Sequence, residues 1–148
     1  MRLALTLHQK VIQMVCRKLY SILNVYVASP DHPIHQEPEP LSEVTRVKYR
    51  GIAIADTARE RPVLTVQLLD KQQRLTVSSM QDKRLALLAG LGVATMPYPL
   101  VEEDIAAGRL RVVGPEYSME NDIIMAWRRD SMGEAKSWFL REIPRLFA

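Results

Sequence analysis

The sequence predicts an α/β fold. Residues 74–97 read strand, helix, strand with almost no spare residues between them, which is the pattern of a parallel crossover. Prolines (9) outnumber glycines (6), as in punctuated α/β structure and unlike a low-complexity chain. At 148 residues and 47% hydrophobic content, the chain can bury one sizeable core. A parallel crossover sets a helix N-terminus and two strand ends at one sheet edge, where open α/β folds bind small ligands.

The elements follow in order. Residues 1–17 carry Leu3, Leu7, Val11, Met14 and Val15 at helical spacing, with three basic residues (Arg2, Lys10, Arg17) and no acid. This predicts a terminal helix, either docked or binding a membrane surface or a partner. Leu19–Ala28 is rich in β-branched and aromatic residues and predicts a strand, ended by the turn chemistry of Ser29-Pro30-Asp31-His32-Pro33. Residues 36–40 form a polar loop, and Leu41–Val47 a short helix with Ser42 near its start. Gly51–Ala55 is a short buried strand emerging at Asp56. Residues 57–62 are a charged loop, and Val63–Leu69 fits strand or helix.

Leu75-Thr76-Val77 enters the crossover, and Ser79 with Asp82 has the spacing of a capping box. Met80, Leu87, Leu88 and Leu91 share one helical stripe toward the sheet. Gly90 and Gly92 bracket the turn, one suiting a helix C-cap and the other permitting tight approach of the next strand, Val93–Met96, which Pro97 stops. Residues 98–107 predict a helix closed by Gly108, Leu110–Val113 a strand, and Asp122–Trp127 a further buried strand. Ser131 and Glu134 repeat the capping-box spacing before a last helix whose apolar face is Ala135, Trp138, Phe139 and Ile143, ended or kinked by Pro144.

Composition narrows the function. A net charge of +3 is far below the footprint of a dedicated nucleic-acid binder. The lone Cys16 cannot form an internal disulfide and points to a reducing cytoplasm. His8, Gln9 and Lys10 interrupt the opening apolar run too early for a signal peptide, and no apolar segment approaches the roughly 20 residues of a membrane helix. A soluble cytoplasmic protein is expected.

Catalytic chemistry finds no support. Ser78 and Ser79 follow a strand but lack the Gly-x-Ser-x-Gly elbow, so capping accounts for them better than nucleophilic attack. His32 and His35 flank a turn with no companion ligand, so no metal site is expected. Glu102, Glu103 and Asp104 read as the solvated first turns of a helix. Gly90-x-Gly92 lacks the spacing of a dinucleotide fingerprint, and no phosphate loop is present. Neither catalytic residues nor a cofactor are expected.

Binding fares better. If the strands run parallel, the ends at Ala55-Asp56, Val77-Ser78-Ser79 and Met96-Pro97 converge. Backbone N–H groups at the Ser79 helix start and two hydroxyls could then hold a polar group, with Ile54 and Met96 against an apolar body.

Four segments stand in a telling order: Val27–Ile34 (Val-Ala-Ser-Pro-Asp-His-Pro-Ile), Tyr49–Ile54 (Tyr-Arg-Gly-Ile-Ala-Ile), Ala89–Pro97 (Ala-Gly-Leu-Gly-Val-Ala-Thr-Met-Pro) and Gly108-Arg109-Leu110. Together they resemble the LysR-type transcriptional regulators, in the second half of their C-terminal effector-binding domain, from about Lys18 to Phe147. The resemblance implies a periplasmic-binding-protein-like (type 2) fold in which two α/β subdomains flank a cleft that holds a small effector. It implies one complete subdomain over about 30–118, Val25–Ala28 as outgoing hinge strand, Ile123–Trp127 as the returning one, and a return strand with last helix over about 121–147. Residues 1–17 fall outside it, leaving 18–148 as the effector-binding domain.

No winged helix-turn-helix is present, so no direct DNA contact is expected. The opening part of the first subdomain is also missing, so the chain reads as truncated, with weak or no binding of small organic acids or aromatics expected. Site residues carried over are Asp56, Thr57, Ser78, Ser79, Met96 and Pro97. Partners implied are a small-molecule effector and either a second copy or an intact regulator subunit, with no membrane. The alternative is a non-sensing remnant that oligomerises with itself or an intact regulator.

Overall fold

The computed structural model describes residues 2–7, 10–55, 68–129 and 132–148. The chain divides into two compact units, one of Met1–Ile22 with Glu120–Ala148, the other Leu23–Met119. Asp56, Thr57 and the rest of 56–67, which take in the predicted charged loop and most of the ambiguous Val63–Leu69, lie outside the described residues.

The Leu23–Met119 unit is a sheet with side chains packed on both faces. Strand β2 (Lys10–Ala28) enters it, followed by a 3-10 helix (Pro33–Gln36) and helix α1 (Glu43–Val47). The Ser42 side chain caps α1 by accepting from the Thr45 N–H at 3.1 Å, as its position in the sequence suggests. Strands β3 (Gly51–Ile54) and β4 (Arg74–Val77) pair in parallel, with Ile52 opposite Leu75 and Ile54 opposite Val77. Helix α2 (Met80–Leu88) then leads to β5 (Ala94–Pro97), α3 (Tyr98–Ala106) and β6 (Arg111–Val112). Strand β5 runs antiparallel to β2, and β6 pairs antiparallel with β2 on its other side. A parallel Gly51–Val93 bridge joins β3 to the approach of β5, giving the order β4-β3-β5-β2-β6.

Alternation along the strands divides the core. Val25, Val27, Ala94 and Met96 face α2 and α3 and pack with Ala86, Leu87, Val101 and Leu110. Tyr26, Ala28 and Val93 face the other way, onto Ile34, Leu41 and Val113. On that second face the buried Arg46 guanidinium lies over the rings of Tyr26 (4.8 Å) and Tyr117 (4.0 Å).

The crossover closes as its glycines require. The Gly90 N–H donates to Leu87 O and the Leu91 N–H to Ala86 O, both at 3.0 Å, a Schellman cap with Gly90 at φ +72°. A Cβ on Gly92 would lie 2.4 Å from the Arg50 carbonyl oxygen, the acceptor of the Val93 N–H. Leu87 is buried, with Met80 and Leu88 packed against the same core. Leu91, expected on the same stripe, is 47% exposed, because the left-handed turn at Gly90 takes it off the helix.

In the other unit, β1 (Arg2–Leu7) pairs antiparallel with β2, from Leu7 opposite Lys10 to Arg2 opposite Val15. Strand β7 (Met119–Arg128) also pairs with β2. Helix α4 (Glu134–Glu142) passes into a 3-10 turn (Ile143–Phe147) at Pro144, as predicted, and Phe147 stacks on Tyr20 at 4.9 Å.

Three expectations are corrected here. Within 1–17 the described residues, 2–7 and 10–17, form strand and not helix: Leu3, Leu5 and Leu7 alternate as well as they fit a helical stripe, and pairing with β2 satisfies the backbone of the extended form. The segment Asp122–Trp127 is a strand, but a half-exposed one, with Ile123, Met125 and Trp127 partly covered and the residues between them open. Glu134 is the first residue of α4, whose N-cap is Gly133 with no side-chain bond, so it does not complete a capping box; Ser131 lies outside the described residues.

Candidate functional site

Parallel pairing decides where the strand ends go. The β3–β4 ladder continues through the Ala55 N–H, which donates to Val77 O at 2.8 Å. With the parallel Gly51–Val93 bridge, it brings the C-terminal ends of β3, β4 and β5 to one edge of the sheet. Ser78 and Ser79 follow β4 at that edge, and Met96 and Pro97 close β5 there. Four of the six expected site residues therefore share a rim, while Asp56 and Thr57 lie outside the described residues.

The helix start on the rim is fully built. Ser79 Oγ accepts from the Asp82 N–H (3.0 Å) and donates to the Asp82 carboxylate (2.8 Å), and Ser78 Oγ donates to the same oxygen (3.1 Å). The expectation that two hydroxyls stand ready for a ligand is thereby revised, since both are engaged with Asp82. The N–H groups of Met80 and Gln81, in the first turn of α2, have no acceptor within the helix by geometry. Helix α3 begins differently. Pro97 stands at its N-cap without a side-chain bond, and Pro99 occupies its first turn.

A groove of about 530 Å3 lies where the starts of α2 and α3 flank the end of β5. Its apolar wall is Met80, Pro99 and Leu100, over the fully buried Met96, and Arg84 and Glu103 stand at its polar margin. Met96, expected as an apolar ligand contact, is fully buried at its strand end, and the groove above it depends on the spacing of two helices.

Arg84 is held in place by a buried carboxylate. Asp104, fully buried, accepts from Arg84 Nε (2.6 Å) and Nη2 (2.9 Å) and from Arg109 Nε (2.8 Å), and the Arg109 Nη2 lies 2.8 Å away. The Arg84 hydrogen bonds, reinforced by Arg109, hold the Asp104 carboxyl below the ordinary carboxylate range. The reading of Glu102–Asp104 as a solvated helix start is thus corrected for Asp104. Helix α3 begins at Tyr98, which puts Asp104 in the last turn and on the inner side.

Lys83 is the residue that sequence reasoning missed. It lies between Met80 and Leu87 on the stripe of α2 that packs on the sheet, and its Nζ donates to the Thr95 carbonyl of β5 at 2.9 Å. Burial lowers its pKa from the usual lysine value. A cation inside an apolar helical stripe was the available signal.

The remaining candidates have structural duties. The His32 Nδ1 accepts from the Ile34 N–H (3.2 Å), and the His35 Nε2–H donates to Ser29 O (3.0 Å), so the two rings serve the backbone turn. Among the described residues no group of three or more His, Cys, Asp or Glu side chains could hold a metal ion. No helix among them is long and apolar enough to cross a membrane.

Comparison with known proteins bears on the family and the fold. The family model of the LysR substrate binding domain matches residues 5–148. The chain is 85% identical over 131 residues to the probable HTH-type transcriptional regulator YhaJ of Escherichia coli (strain K12), covering 88% of this chain and 44% of that protein. It is 30% identical over 129 residues to the uncharacterized HTH-type transcriptional regulator YeeY of the same strain, covering 85% of this chain and 41% of that protein. Among solved structures, the regulatory domain of AphB from Vibrio vulnificus superposes with a TM-score of 0.64 at 23% identity, over 90% of this chain and 68% of that one. Full-length LysG from Corynebacterium glutamicum gives 0.67 at 12% identity, over 89% and 44%. These two likenesses concern the fold. The chain spans less than half the length of the curated relatives named here, both of which are called transcriptional regulators.

Proposed function

From the premise that this chain belongs to the LysR substrate binding domain family and has its periplasmic-binding-protein-like α/β fold, we propose that it senses a small organic acid or aromatic effector at the rim of Ser78, Ser79, Met96 and Pro97. Asp56 and Thr57, which follow β3 in the chain, complete the proposed site. The observation that carries the reading is the gathering of three parallel strand ends beside the start of α2. Such an edge offers backbone donors to a polar group and, through Met80 and Leu100, apolar surface to the remainder of a ligand, with the buried Met96 directly beneath. In an intact cytoplasmic regulator, occupancy of the rim would control transcription by favouring one of two arrangements, which requires different affinity for each.

The test is a titration of methyl-labelled methionines in the 148-residue chain with benzoate and with succinate. The seven methionines are resolvable reporters, and Met96 and Met80 should shift first. Neither acid moving Met96, with shifts confined to Met119, Met125 and Met132, would refute the assignment of the rim.

A second reading rests on a separate observation. Trp138 and Phe139 of α4 are 50% and 52% exposed and pack edge to face against each other, with their ring centres 5.0 Å apart. This apolar surface suits association with a second copy or with an intact regulator subunit. Sedimentation of a single monomeric species across micromolar to millimolar concentration would end it.

A further inference from the structure

The charges at the start of α2 are unequally served. Asp82, Lys83 and Arg84 are consecutive. The Asp82 carboxylate is taken up by Ser78 and Ser79, and the Arg84 guanidinium by Asp104. Lys83, between them, reaches only the neutral carbonyl of Thr95 among the described residues. One carbonyl meets one of the three ammonium donors, and a half-desolvated cation gains most from a countercharge.

Its position is set by the sheet. The Gly51–Val93 bridge between β3 and β5 is isolated, so their ladder ends before Thr95. The Lys83 ammonium enters where the ladder stops, beneath the edge shared by Ser79 and Met96. Burial holds its pKa down, and among the described residues no carboxylate is paired with it.

We propose that Lys83 is the charge-selecting residue of the rim and that the effector class is the small organic anion, whose carboxylate or equivalent single anionic group meets this ammonium. The proposal rests on the rim being the effector site. It narrows the ligand to one charge and assigns the residue that reads it.

Benzoate and its neutral isostere benzamide separate the possibilities in the full 148-residue chain, followed at lysine Cε and methionine methyl signals. Benzoate should shift both Lys83 and Met96 and raise the Lys83 pKa, while benzamide should leave Lys83 in place. Lys83→Met should weaken benzoate at least tenfold and leave benzamide within twofold, and Lys83→Arg should retain benzoate binding. If both probes move Met96 alike while Lys83 stays still, the charge assignment falls and the rim survives. If neither moves Met96, the effector reading falls as well. Asp56→Asn supplies the remaining check. A fall of a full pH unit in the Lys83 pKa of this variant, without probe, would identify Asp56 as the built-in partner and overturn the proposal. The two-probe comparison on the unsubstituted chain stands even if a Lys83 variant fails to fold.

Discussion

Asp104→Asn tests the physical account of the Leu23–Met119 unit. The substitution preserves volume but replaces an acceptor oxygen with an amide donor, opposite guanidinium N–H groups that are already donors. Three hydrogen bonds of 2.6–2.9 Å from Arg84 and Arg109 converge on the carboxylate. Removing one partner of a buried ion pair costs about 3–5 kcal/mol. The lower end applies, because the Arg84 and Arg109 side chains are 26% and 53% exposed and can rehydrate. A loss of about 3 kcal/mol at pH 7 corresponds to a fall in Tm of roughly 10 °C.

The pH dependence has a definite sign. The carboxyl is held below its unfolded value of about 3.9, chiefly by the Arg84 hydrogen bonds, so its contribution is complete above that value and is lost as pH falls through the folded pKa. The gap between the parent and Asp104→Asn should therefore be constant from pH 8 to pH 5 and narrow only under more acid conditions. Urea unfolding followed by far-UV circular dichroism measures it, with hydrogen exchange on peptides from 80–113. Indole fluorescence does not serve, since both tryptophans, Trp127 and Trp138, belong to the other unit. A loss under 1 kcal/mol at pH 7, or a gap that persists unchanged to pH 3, would refute the reasoning.

Two other predictions concern the same unit. Gly92→Ala should destabilise by about 1–3 kcal/mol, because its Cβ, 2.4 Å from Arg50 O, must push β3 away from the approach to β5; a urea midpoint equal to that of the parent would contradict this. Burial lowers the pKa of both His32 and His35, so their contribution is present above the unfolded value of about 6.5 and is lost as pH falls through the folded values. Stability should thus decline from pH 7.5 to 5, and His32→Gln with His35→Gln should flatten that slope; an equally steep profile in the double variant would exclude these rings as its source.

What the sequence made legible was local. Ser79 and Asp82, Ser42, and the Gly90 cap are governed by backbone groups a few residues away, and each stands where its spacing put it. Leu3, Leu7 and Val11 fit two periods at once, and only the neighbouring strand selects between them. Asp104 and Lys83 were hidden for a related reason. A charge on a helix looks solvated until the partner elements are placed, and Arg84, Arg109 and Thr95 come from separate segments.

The two prolines at the start of α3 give the rim a sidedness. Neither Pro97 nor Pro99 has a backbone N–H, so that flank offers fewer donors, while the opposite flank keeps the amides of Met80 and Gln81, which have no acceptor within their helix. On the proposed reading, a guest with one hydrophilic and one greasy end would have a preferred way round, its head toward the serines and its tail along Met80 and Leu100.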